Sequence, residues 1–171
     1  MYWLKEFEHS VTLPPEFLVP GVADLVQYRV HQQLQGTCTP QHGYLLAVLS
    51  ALPTSPGHVL PGTAAVRFSV RVRALTAQPV KNQIIDVIVQ SVSKVGCFGM
   101  AGPVQVFVSN RLMPSEYRYE AGPPAAYKAE ALGGLRIGAG EKMRVRIIGT
   151  KLENGEIFAI GSIKEDYLGP I

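Results

Sequence analysis

The chain has 171 residues, of which 47% are hydrophobic and 17% charged, and its formal net charge is +3. This composition excludes a disordered tail, and the length suits one domain or two small ones. A net charge of this size does not by itself mark a nucleic-acid-binding protein. The sequence contains no apolar run of about 20 residues, so we expect a soluble intracellular protein and no membrane partner.

The first 78 residues predict an α+β domain. Strands are expected at 2–12 and 44–52, which are each followed by proline, and at 66–74, where apolar and polar residues alternate. Between the first two strands, apolar residues recur at helical spacing after Pro20 and Gly21, and Gly36 is placed to end the helix. The apolar residues of this predicted helix are Val22, Leu25, Val26, Val30 and Leu34.

A loop rich in turn residues precedes the third strand and carries two aliphatic residues at its centre. Its residues are Pro56, Gly57, His58, Val59, Leu60, Pro61 and Gly62. Residues alone leave two interpretations open, because the aliphatic side chains can fold back onto the core of the domain or form an apolar docking tip.

The second half, which begins at Pro79, predicts an all-β domain. Short strands are expected at 83–92, 96–101, 104–108, 143–152 and 156–163, and Asn154 and Gly155 predict a tight hairpin between the last two. Five short strands indicate a small barrel of the OB type. Residues 114–140, which are rich in Gly, Ala and Pro, are expected to be a long connection. The predicted domains are therefore 1–78 and 79–171.

Aromatic and basic residues of this second half are the candidate binding residues. A turn at residues 101–104 places Phe98 opposite Phe107 on adjacent antiparallel strands, where two rings on one face can stack with bases. Four cations accompany the pair along the sequence, namely Lys94, Arg111, Arg144 and Arg146. The alternative is that the rings belong to the core and that the cations form a solvated face.

Residues with catalytic or metal-binding spacing are not found in the sequence. The histidines are scattered over four predicted elements, and the glycine pairs lack the Lys-Ser/Thr of a phosphate-binding loop. We therefore expect no catalytic residue, no metal and no cofactor. Cys38 and Cys97 are interpreted as buried apolar residues and not as a disulfide.

Several motifs resemble a known family. Residues 35–39 (QGTCT), 44–48 and 56–62 resemble the N-terminal domain of RNA polymerase stalk subunits, a truncated ribonucleoprotein-like fold. Residues 92–98 and 102–109 resemble the S1-type OB fold that follows it, and the ending at 157–169 (IFAIGSIKEDYLG) is similar to the polymerase II member. The resemblance covers essentially the whole chain and identifies it as a member of the larger stalk subunit family of eukaryotic RNA polymerase II.

This resemblance implies a non-catalytic subunit that forms a heterodimer with the smaller stalk subunit. The loop at 56–62 would dock beside the clamp of the core polymerase, and the S1-type OB-fold barrel would bind the emerging single-stranded RNA through Phe98 and Phe107. Family membership also implies a role in initiation, a place in the nucleus and a second pool in the cytoplasm. The alternatives are a free-standing RNA-binding protein of translation or decay and a hydrolase.

Overall fold

Gln78 and Pro79 mark the division of the chain in the computed structural model, which describes residues 1–122, 124–129 and 133–171. Residues 2–78 form one unit, and residues 79–171 together with Met1 form the other. Proline lacks the N–H that a sheet interior requires, so Pro79 suits the start of a new segment. The strands of the two units belong to separate sheets.

The first unit is an antiparallel sheet covered on one side by one α-helix. Its elements are β1 (Tyr2–Leu13), a 3-10 helix (Pro15–Phe17), α1 (Val22–Leu34), β2 (Cys38–Thr39), β3 (Gly43–Pro53), β4 (His58–Val59) and β5 (Val66–Ala77). The strand order is β1-β5-β3-β2, and β4 pairs with the first residues of β5. This is the α+β arrangement that the sequence predicts.

Alternation along β5 explains which side of the sheet the helix covers. Val66, Phe68, Val70, Val72 and Ala74 are buried, whereas the arginines between them are exposed. The buried face belongs to one core with the apolar residues that recur along α1, which are Val26, Val30 and Leu34. Burying one such side chain stabilises a fold by about 1.5 to 3 kcal/mol, so this core fixes the register of the central strand.

In the described ranges, no helix has the length and apolar character needed to cross a bilayer.

The second unit is built from strands. They are β6 (Ile84–Ser93), β7 (Gly96–Ala101), β8 (Val104–Ser109), β9 (Arg118–Glu120), β10 (Ala126–Ala129), β11 (Leu135–Gly138), β12 (Lys142–Glu153), β13 (Glu156–Ser162) and β14 (Gly169–Pro170), with a 3-10 helix at Asn110–Leu112. The order β13-β8-β7-β6-β12 continues to β14, and β12 also pairs with β13. Only β8 and β13 run parallel among these pairs. This sheet-rich arrangement is consistent with an OB fold and confirms the predicted fold class.

Residues 114–140 are more than the connection that the sequence predicted. The described part of this region forms a second sheet in the order β11-β10-β9, in which Tyr127 lies opposite Tyr119. These strands have three or four residues each. An alternating pattern needs more residues than that to stand out, so the Gly, Ala and Pro content dominated the prediction.

Two hairpin turns fix the register of the long strands. Asn154 and Gly155 both have positive φ, 52° and 80°, as a type I′ turn requires, and they join β12 to β13 as the sequence predicts. Between β7 and β8 the two turn residues are Gly102, at a φ of 61°, and Pro103. A glycine with positive φ followed by a residue with the fixed φ of proline has the pattern of a type II′ turn, which explains why Pro103 is accommodated.

Both cysteines are free thiols, and they differ in exposure. Burial raises the pKa of the Cys97 thiol to about 12, and Cys97 is fully buried, whereas Cys38 is partly exposed. Because the thiolate is the reacting form, we expect iodoacetamide at pH 8 to modify Cys38 slowly and to leave Cys97 intact until the chain is unfolded. Mass spectrometry of native and denatured samples measures this, and modification of Cys97 in the native chain at the rate of Cys38 would contradict it.

Candidate nucleic-acid interface

Phe98 and Phe107 form a pair of adjacent rings on the outer side of the β7-β8 hairpin. The ladder places the two residues directly opposite each other, as predicted, and their ring centroids are 4.6 Å apart with planes inclined at 37°. The neighbours of Phe107 in its strand, Val106 and Val108, are buried, whereas Phe98 is 46% exposed. The rings therefore lie on the face of the strands that is turned away from the core, which favours the platform interpretation over the core interpretation.

Gly96 allows the Phe107 ring to lie close to the backbone of β7. A Cβ atom at this position would stand 2.2 Å from the carbonyl oxygen of Val108 and 3.0 Å from two ring atoms of Phe107. Any larger residue would push the ring or the strand aside. The ring consequently extends toward the turn at residues 94–95, which joins β6 to β7.

Lys94 and Arg111 lie near this end of the platform. The side-chain amide of Asn110 donates a hydrogen bond to the carbonyl of Lys94 (3.3 Å), and the backbone N–H of Asn110 donates to the carbonyl of Val95 (2.9 Å). These bonds hold the 3-10 helix that carries Arg111 against the turn that carries Lys94. Both residues line one pocket, so the structure brings two of the four predicted cations together.

Arg144 lies elsewhere on the domain and is paired with a carboxylate. It is opposite Asp86 on β6, whereas Phe98 is opposite Ser91, five residues further along that strand or about 16 Å away. Two hydrogen bonds, of 2.8 Å and 3.1 Å, join its guanidinium to the Asp86 carboxylate. The hydrogen bond from Arg144 lowers the pKa of Asp86, so the pair stays ionised and its charges balance.

Arg146 is also committed to an ion pair. Its Nη1 contacts the Glu165 carboxylate, and its buried Nε has no partner among the described residues. The two predicted cations on β12, Arg144 and Arg146, are therefore each paired with a carboxylate. RNA contact by Arg144 and Arg146 stays a prediction.

The predicted docking tip is a short hairpin and not an irregular loop. His58 and Val59 pair with Arg67 and Val66 of β5, and the N–H of Leu60 donates to the carbonyl of Ala65. Val59 is 64% exposed, but Leu60 is only partly exposed. Val59 is therefore the main exposed apolar residue of the tip, and the Leu60 side chain is less exposed than the sequence indicates. Pro56 and Gly57 precede β4, and Pro61 and Gly62 lie in the turn between β4 and β5.

A pocket of about 440 Å³ next to the turn at residues 94–95 contains residues that sequence reasoning missed. Besides Lys94 and Arg111, its lining includes Asn110 and the tyrosines Tyr117, Tyr119 and Tyr127. The tyrosines come from the region that was predicted to be a connection. Their alternation with Arg118 in the run Tyr117-Arg118-Tyr119 is the one sequence signal that could have indicated a strand.

Metal binding has no site in the described part of the chain, where no three of His, Cys, Asp and Glu come together as ligands. The arrangement that remains is a pair of adjacent tilted rings, two nearby cations and an aromatic pocket, on a sheet-rich unit that is consistent with an OB fold and follows an α+β unit. That combination defines the class: a two-domain protein with a candidate surface for single-stranded nucleic acid.

Comparison with known proteins identifies the family of the chain. The family model described as "SHS2 domain found in N terminus of Rpb7p/Rpc25p/MJ0397" matches residues 8–64. DNA-directed RNA polymerase II subunit rpb7 of Schizosaccharomyces pombe is 34% identical over 98% of both chains. RPB7 of Saccharomyces cerevisiae is 34% identical over all of both chains, and RPB7 of Glycine max is 33% identical over all of this chain and 97% of its own. The chain belongs to the RNA polymerase II subunit Rpb7 family, which confirms the resemblance found in the motifs.

Proposed function

We propose that this protein is a non-catalytic subunit of RNA polymerase II that forms the stalk with a smaller subunit and binds the emerging transcript. The observation that carries the proposal is the match to polymerase II subunits along the full length of both chains. The protein works in the nucleus and supports initiation, and it contributes no active site of its own. A cytoplasmic pool stays a prediction.

Transcript binding is supported by the surface around Phe98 and Phe107. Stacking on aromatic rings is tolerant of base sequence and contributes about 1 to 3 kcal/mol per base, which suits a transcript of any sequence. Lys94 and Arg111 add positive charge at one end of the rings, where phosphates of a bound strand can lie. The polymerase delivers the transcript at high local concentration, so a modest intrinsic affinity is sufficient.

Heterodimer formation is supported by apolar surface on the first unit. Tyr2, Trp3 and Leu4 are each about half exposed and lie on β1, the edge strand of its sheet. Leu49 and Leu52 of β3 are each 58% exposed. Exposed apolar side chains on an unpaired edge strand, with others on a second strand of the same sheet, are typical of surface that a partner covers.

Association with the core polymerase is assigned to the hairpin tip at residues 56–62. Val59 supplies an exposed aliphatic side chain, and the pairing of β4 with β5 holds it in a defined position. A rigid apolar projection loses little conformational entropy when it enters a partner groove, which is why such a tip suits docking.

Affinity purification from the source cell tests the proposal as a whole. With a tag on this chain, we expect the largest subunit of RNA polymerase II and the smaller stalk subunit to co-purify, and mass spectrometry identifies both. The chain produced alone should aggregate and should become soluble when it is co-expressed with the smaller subunit. Recovery of a stable monomer without polymerase subunits would contradict the proposal and favour a free-standing RNA-binding protein.

A further inference from the structure

We propose that the pocket lined by Lys94, Arg111 and Tyr119 binds one nucleotide of single-stranded RNA, with the base on the tyrosine ring and its phosphate between the two cations. The inference rests on the proposed transcript binding, because it extends the path of the strand beyond the rings of Phe98 and Phe107. The volume of the pocket, about 440 Å³, lies within the range of pockets that hold small ligands.

Hydrogen bonds from three separate elements build this pocket. The Tyr127 hydroxyl donates to the carbonyl of Ser93 (2.8 Å), which ties the small sheet of β9 and β10 to the end of β6. Asn110 makes the two bonds to residues 94 and 95 described above, and the Ser109 hydroxyl accepts from the N–H of Arg111 (3.4 Å). The lining is therefore held by the fold and is formed without a ligand.

Tyr119 is the ring placed to receive a base. It lies opposite Tyr127 in the β9-β10 ladder, with ring centroids 5.5 Å apart and planes inclined at 59°. Tyr127 is 2% exposed and supports the neighbouring ring, whereas Tyr119 is partly exposed toward the pocket. A partly exposed ring backed by a buried one combines a fixed orientation with an accessible π face.

The positive charge of the pocket favours a phosphate over a neutral or cationic ligand. Two cations line it, and none of its lining residues is acidic. Glu120, the acidic neighbour of Tyr119, is paired with Lys128 at 2.5 Å. Aromatic rings interleaved with cations are the combination that single-stranded nucleic acid requires, since each nucleotide offers one π face and one negative charge.

The pocket lies next to the platform of Phe98 and Phe107, so the nucleotide it binds belongs to the same RNA strand. The Phe107 ring packs over Gly96, and Lys94 lies two residues earlier in the chain. One strand can therefore stack on Phe98 and Phe107 and place its next nucleotides over the turn at residues 94–95. The pocket adds a base position that the platform by itself does not provide.

Fluorescence anisotropy with a uridine decanucleotide tests this proposal, using the full chain in complex with the smaller stalk subunit. We expect Tyr119→Leu to weaken binding about 5- to 150-fold, the loss of one stacked base, and Tyr119→Phe to bind like the unaltered complex. We expect Lys94→Ala to lower the slope of log K against log salt by about 0.7, the value for one phosphate contact. Lys151→Ala is the matched control, because Lys151 is exposed at the far end of β12.

The outcomes separate this proposal from the proposed function. If Tyr119→Leu binds like the unaltered complex while alanine at both Phe98 and Phe107 abolishes binding, the platform stands and the pocket holds no base. A salt slope that changes in Lys94→Ala without any effect of Tyr119→Leu would indicate a site for phosphate or an acidic protein and would overturn the proposal. Absence of RNA binding by the unaltered complex would overturn both. Urea unfolding of each variant verifies that the fold is retained.

Discussion

Replacing both Phe98 and Phe107 by alanine is expected to weaken the binding of single-stranded RNA by about 2 to 5 kcal/mol. Each ring can stack with one base, and at 4.6 Å between centroids the two rings form a single platform, so their loss removes two adjacent base positions. Titration of the stalk heterodimer with a labelled oligonucleotide at fixed salt measures the change, because affinities at different salt concentrations are not comparable.

Two controls separate stacking from folding. Leucine at both positions keeps apolar bulk on the surface of the hairpin but offers no π face, so we expect it to weaken binding nearly as much as alanine does. Tyr28→Ala removes a 61% exposed aromatic ring from the first unit and should leave RNA affinity unchanged. Unchanged affinity of the double alanine variant, with its fold intact by urea unfolding, would refute the platform.

Replacing Val59 by aspartate is expected to lower the affinity of the stalk for the core polymerase by about 10- to 100-fold, while the heterodimer stays intact. Burial of a valine contributes about 1.5 to 3 kcal/mol, and an unpaired carboxylate in an apolar groove adds a desolvation cost. Val59 is the better target than Leu60, because it is 64% exposed and its loss leaves the hairpin contacts of the partly exposed Leu60 in place. Co-purification of core subunits at graded salt measures the association.

A matched substitution in the same unit serves as the control for the tip. Val19 is 48% exposed and lies outside residues 56–62, so Val19→Asp introduces the same chemistry on another surface. We expect it to leave the recovery of core subunits unchanged. If Val59→Asp recovers as much core polymerase as the unaltered chain does, the docking role of the tip is wrong.

The long strands and their hairpins could be predicted from local sequence. Alternation with a period of two marks β5, since each apolar residue must face the same core, and the glycine turns at 102 and 155 define which residues of adjacent strands stand opposite. The pairing of Phe98 with Phe107 followed from such a turn. These features depend on residues that are close in the chain, which explains why the fold class and this pair were correct.

The state of the arginines on β12 could not be predicted in the same way. Arg144 meets Asp86, a residue 58 positions away, because β12 pairs with β6. The sequence contains both residues, but a charge is balanced only when the strand order brings its partner into contact. The sequence therefore could not show that these arginines are paired with carboxylates, and their contact with RNA stays a prediction.

By itself, the sequence determined the two kinds of domain, the family and the pairing of Phe98 with Phe107, because these depend on local periodicity, turn chemistry and continuous motifs. Only the tertiary structure decided which cations accompany the rings. Hydrogen bonds from Asn110 to the turn at residues 94–95 and from Tyr127 to Ser93 join segments up to 34 residues apart, and they gather Lys94, Arg111 and Tyr119 around one pocket. Contacts of that range arise from how strands pair, and a strand of three residues leaves too short a pattern in the sequence to reveal its partner.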